Sequence, residues 1–134
     1  MSEFVTDTHA LCWHLLGDTR LSPMARRLFL GADTGEHRAF VPTITLIEIV
    51  YLAEKGRIDP ALVDSVLRLL DNVAGSYIVA PLDLGTARVL RDVPRSLVAD
   101  MPDRIIVATA RQLELPLISR DAAIRRTGLV RAIW

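Results

Sequence analysis

Hydrophobic and polar positions along this chain fall into short blocks that switch between strand length and helix length. Residues 3–6 predict a strand, and residues 8–16 a helix closed by Gly17-Asp18. Ser22-Pro23 supplies an N-cap and a first-turn proline for a helix running to about residue 31. Residues 39–41 predict a strand closed by Pro42, and residues 43–55 a helix stopped at Gly56. Asp59-Pro60 opens a further helix to about residue 73. Residues 77–80 read as a strand, 84–91 and 102–114 as helices, and 116–119 as a strand. A short helix after Asp121 and a strand over 129–133 end the chain. Strands alternating with helices predict one α/β domain over residues 1–134: a three-layer α/β/α sandwich around a central parallel sheet of about five strands.

Composition narrows the class. With 134 residues, 51% of them hydrophobic, the chain has the core of a single folded domain and not of a disordered segment. A lone cysteine, Cys12, rules out an internal disulfide and favours a reducing compartment. The N-terminus lacks a basic segment followed by an apolar run, and no apolar run approaches the roughly 18 residues of a membrane span. A soluble cytoplasmic protein is expected. Sixteen basic and sixteen acidic residues cancel, so any nucleic-acid contact must come from a local patch. Residues 104–134 carry six arginines against two acids, and the chain has a single lysine, Lys55.

In parallel α/β sheets, ligands bind at the carboxyl ends of strands near a switch in strand order. Acids stand at such places here. Asp7 follows the first strand, Glu48 lies in the helix after the second, Asp103 opens the helix at 102, and Asp121 follows the strand at 116–119. Each also has a capping role open to it: Asp7 for the helix at Thr8, Thr45 and Glu48 as a capping box, Asp103 as a dipole partner, Asp121 for the last helix. Glu48 stands out, because a 3.6-residue period places it with Ile44, Tyr51 and Leu52 on an apolar side with no basic residue within a turn. Carboxylates ~4 Å apart repel by about 4 kcal/mol at an effective dielectric near 20, so a cluster of them calls for a counter-charge. All-oxygen donors suit Mg²⁺ or Mn²⁺, while the single cysteine and the absence of a paired-histidine motif disfavour zinc. His9, His14 and His37 read as helix-surface or loop residues, and Trp13 and Trp134 as packing residues. No phosphate-binding glycine loop or nucleophilic serine elbow is present.

The ordered motifs resemble the PIN-domain ribonucleases of the VapC type, the toxins of VapBC toxin–antitoxin pairs. Val5-Thr6-Asp7-Thr8-His9-Ala10-Leu11-Cys12-Trp13 is similar to that family's opening, and Thr43-Ile44-Thr45-Leu46-Ile47-Glu48-Ile49 to its second acidic motif. Asp100-Met101-Pro102-Asp103-Arg104 resembles the third, and Leu117-Ile118-Ser119-Arg120-Asp121 with Ala132-Ile133-Trp134 the close. Val98 stands where many relatives have histidine, and Pro102 marks a displaced proline. The resemblance implies a Mg²⁺- or Mn²⁺-dependent endoribonuclease. In it Asp7, Glu48, Asp103 and Asp121 hold the metal, Asp100 is a further candidate, and Ser119 and Thr8 are supporting groups. Arg104 and Arg120 would be phosphate contacts, with a structural ion pair the equal alternative for Arg104. It also implies an RNA substrate, a VapB-type antitoxin and a homodimer, with residues 43–55 and 59–73 as contact surfaces. The alternative is a PIN-fold binding module without turnover.

Overall fold

A computed structural model describes all of residues 1–134. Five strands, β1 (Glu3–Thr6), β2 (Arg38–Pro42), β3 (Tyr77–Ala80), β4 (Leu117–Ile118) and β5 (Ala132–Ile133), form one sheet in the order β3-β2-β1-β4-β5. Every pairing is parallel. Helices α1 (Thr8–Leu16), α2 (Pro23–Asp33), α3 (Thr43–Glu54), α4 (Ala61–Asp71), α5 (Leu84–Leu90), α6 (Met101–Leu113) and α7 (Ala122–Arg126) connect and flank the strands. None of them is long and apolar enough to cross a membrane.

Strand alternation builds the layers. On β1, Phe4 enters a core of sixteen buried residues that includes Leu11, Phe29, Ile49 and Val66. Its neighbour Val5 enters a second core of nine, with Ile106, Val107, Leu117 and Ile124. Adjacent residues of one strand thus anchor opposite faces, as a period of two requires. The three-layer α/β/α arrangement and the five-stranded parallel sheet match the expectation from the sequence.

Local signals set most boundaries. The side chain of Ser22 accepts from the N–H of Ala25 with Pro23 opening α2, and Gly17 ends α1 at φ 64°, a conformation that favours glycine. Others moved. Pro42 is the last residue of β2, paired with Ala80, and does not lie beyond it. The final strand shrinks from the expected 129–133 to Ala132–Ile133. The chain runs outward from β1 through β2 to β3 and then returns to β1's other side for β4. The carboxyl ends of β1 and β4 therefore bracket the switch point of the sheet.

Candidate active site

Both ends of that switch point carry acids. Asp7 directly follows β1, its N–H bonded to the carbonyl of Ile118 in β4 at 3.2 Å. Its Oδ1 accepts from the N–H of Ala10 at 2.9 Å, so it does cap α1. Asp7 is only 6% exposed, and burial pushes its pKa up against the lowering effect of a hydrogen bond from Ser119. Ser119 follows β4, is fully buried, and its hydroxyl also accepts from the N–H of Asp121 at 3.1 Å. One hydroxyl thus ties the acids after β1 and β4 to each other. Asp121 caps α7 through the N–H groups of Ala123 and Ile124.

Asp103 comes from the other side of the notch, in the first turn of α6. That helix is capped by the exposed Asp100, whose carboxylate accepts from the N–H of Asp103 at 3.1 Å. The side chain of Asp103 receives no hydrogen bond from the protein. Burial raises its pKa most, followed by repulsion from Asp100, Asp121, Glu48 and Asp7, and the result is about 7. A helix N-terminus favours a carboxylate by only about 0.3–1 kcal/mol at an exposed site, so the dipole is outweighed. Asp7, Asp103 and Asp121 line one open cavity of about 520 Å³, together with His9, Trp13, Arg20 and Arg120.

Glu48 reaches the group from α3, and its surroundings correct two expectations. The helix begins at Thr43, so Thr45 lies inside the first turn and is no cap, and Glu48 does not bond back to the backbone. Nor is the stripe it shares fully buried: Glu48, Ile44 and Leu52 are partly buried, while Tyr51 is 57% exposed. Instead the buried hydroxyl of Thr8 donates to Glu48 Oε1 at 2.5 Å and lies 3.4 Å from Thr45 Oγ1. The carboxylates of Asp7 and Glu48 both add to the burial that pushes the Cys12 thiol up to about 11.

Of the two readings open for Arg104, the structure shows a structural one. Its Nε and Nη2 donate to the carbonyl of Val93 at 3.0 and 2.8 Å, and Nη2 to Leu90 at 3.2 Å. The guanidinium therefore ties down the connection between α5 and α6, and it does not line the acidic cavity. Arg120 does line it. So does Arg20, which the sequence reading missed; it is placed by a turn and a forked pair with Asp18, and no motif marks it. Trp13 packs against Trp134, as expected of a packing residue. His9 is exposed at the notch, whereas His14 is mostly covered, stacked on Phe29 with its Nε2 2.9 Å from Asp33.

The donor set suits a hard divalent cation, because every candidate ligand is a carboxylate oxygen and Asp103 is short of positive charge. The side chains do not yet form a closed cage: no three His, Cys, Asp or Glu groups converge on one point at ligand spacing.

Comparison with known families decides the kinship. The PIN-domain family pattern matches residues 4–129. The chain belongs to the PIN-domain family. Ribonuclease VapC22 of Mycobacterium tuberculosis is 29% identical over 125 residues, covering 93% of this chain and 92% of that protein. Among solved structures, VapBC2 from Rickettsia felis bound to a promoter DNA fragment superposes with a TM-score of 0.70 at 13% identity, over 98% of this chain and 97% of that one. DNA-bound VapBC from Salmonella typhimurium gives 0.69 at 19% identity, over 99% and 98%. At these identities the structural matches establish the PIN fold alone.

Proposed function

We infer that this PIN domain is a divalent-metal-dependent endoribonuclease toxin, held in check by a VapB-type antitoxin. The observation that carries the reading is the meeting of Asp7, Asp103 and Asp121, from three separate segments, in one notch at the sheet's switch point. Asp7, Asp103 and Asp121 would hold Mg²⁺ or Mn²⁺, with Glu48 completing the oxygen set. Bound there, such a cation would supply polarisation of a scissile phosphate and a lowered pKa for the attacking water. The chain's own part is orientation. Ser119 fixes Asp7 and the backbone of Asp121, Thr8 fixes Glu48, and Asp100 fixes the first turn that presents Asp103. The likeness to Ribonuclease VapC22 supports the nuclease, and the VapBC complexes support an antitoxin partner.

An apolar groove of about 410 Å³ between α3 and α4, lined by Leu46, Ile47, Val50, Tyr51 and Leu67, is consistent with a protein contact, whether the antitoxin or the homodimer mate. A binding module without turnover remains the second reading, favoured by the open spacing of the acids. Incubation of the purified chain with total RNA and Mg²⁺ or Mn²⁺ separates the two. The toxin reading predicts metal-dependent fragments that vanish in Asp7→Asn; an RNA pool left intact with every divalent ion supports the module.

A further inference from the structure

The mouth of the acidic notch has the opposite charge to its floor. Arg20, Arg120 and His9 are the basic side chains that line it. Both arginines lie against one indole: Arg20 Cζ is 4.8 Å and Arg120 Cζ 5.7 Å from the Trp13 ring centroid. Trp13 is fixed in turn, only 9% exposed and packed edge-on against Trp134. Stacking on an aromatic face positions a guanidinium while leaving its N–H donors free.

The donors are accounted for. Arg20 uses Nε and one Nη2 hydrogen on Asp18, at 3.1 and 2.7 Å, which leaves three of its five N–H groups unspent. Arg120 makes no side-chain hydrogen bond and no ion pair, although three carboxylates line the same cavity. A cation that stands beside acids without pairing with them is available to an incoming anion. The chain's net charge of zero supplies no long-range pull on a polyanion, so attraction at the notch must be local. A floor that takes a cation beside a rim that takes an anion suits a chain with an anion at every repeat, one phosphate at the floor and the next at the rim.

Resting on the RNA-cleavage reading above, we propose that Arg20 and Arg120, laid against Trp13, form a binding site for the phosphate next to the scissile one. Asp18 acts as a positioning residue for Arg20.

The test is fluorescence anisotropy with a labelled random-sequence RNA of about 12 nucleotides, a length within single-strand site sizes. It uses the Asp7→Asn chain without added divalent ion, so that cleavage does not consume the probe and only the arginine rim is read. Adding Arg20→Ala and Arg120→Ala weakens binding about tenfold and lowers the slope of log affinity against log salt by about 1.4, two contacts at ~0.7 each. Replacement of both by lysine keeps the slope but not the full affinity, because the fork is lost. Affinity and slope unchanged in the alanine pair overturn the proposal, as does the absence of salt-dependent RNA binding by the parent chain. A decaglutamate peptide is titrated alongside; loss of peptide binding with RNA binding intact assigns the arginines to a protein partner and also overturns it. Cleavage by the unmutated chain is scored separately. Its failure ends the nuclease reading, while the binding arm still judges the arginines.

Discussion

Asp33, at the end of α2, and Asp103, in the first turn of α6, are the same side chain in opposite surroundings. Asp33 sits at a helix C-terminus, where the dipole opposes a carboxylate, yet it is satisfied: Tyr77 donates at 2.6 Å and His14 Nε2 lies at 2.9 Å. Its partners come from β3 and α1, so it knits the sheet to two helices. Asp103 has the favourable dipole and nothing else; it faces four other acids and accepts no hydrogen bond. A structural acid brings its donors with it. Asp103 is left without donors among other acids, and this contrast separates the notch from the rest of the molecule.

The contrast can be broken most severely at the notch. Asp103→Asn is expected to lower RNA cleavage on the order of 10²–10³-fold, comparable to loss of one key electrostatic group in other active sites, measured as initial rate in saturating Mg²⁺. Ser119→Ala removes the hydroxyl shared by Asp7 and Asp121 and is expected to weaken metal affinity by roughly 10–100-fold, read by titration calorimetry. Arg104→Ala strips the donors from the carbonyls of Leu90 and Val93. It should cost about 2 kcal/mol in urea unfolding while leaving metal affinity unchanged, in keeping with its structural role.

The smallest effect is the most discriminating. The folded pKa of Asp103 lies above its ordinary value, so the native state holds the proton more tightly than the unfolded chain does. The stability this contributes is complete below about pH 4 and is lost as pH rises through about 7. In EDTA at pH 8, Asp103→Asn should therefore be more stable than the unmutated chain, by about 1 kcal/mol after solvent screening is allowed for. Tyr77→Phe, which takes a donor from the satisfied Asp33, should instead lose about 1 kcal/mol at the same pH. Equal shifts of the same sign would erase the distinction between the two acids.

Legibility in the sequence followed locality. The bounds of β1 and β3 and the caps Asp7, Ser22 and Asp121 rest on neighbouring residues, and they stand as expected. The strand order, and with it the position of the switch point, depends on pairings between distant segments that no local pattern encodes. The orientation of α3 was legible only in part, since Ile44, Leu46, Ile47, Ile49, Val50 and Leu52 leave no clean apolar stripe, and Tyr51 is exposed where Ile44, Glu48 and Leu52 are partly buried. The role of Arg104 was left open because its partners are backbone carbonyls, which carry no sequence signature. Arg20 was missed because it owes its place to the Gly17 turn, Asp18 and the Trp13 indole. Asp7, Asp103 and Asp121 were legible as acids because Asp7 directly follows a strand and Asp103 and Asp121 stand at the starts of helices, whereas Glu48 lies inside α3.

The central claim is that the notch is an oxygen-lined cation site. Calorimetric titration of Mg²⁺ and Mn²⁺ into the unmutated chain, Asp7→Asn and Asp103→Asn, with circular dichroism to verify folding, tests it most directly. Saturable binding that disappears in both folded variants is the predicted result; the same affinity in all three proteins would contradict it.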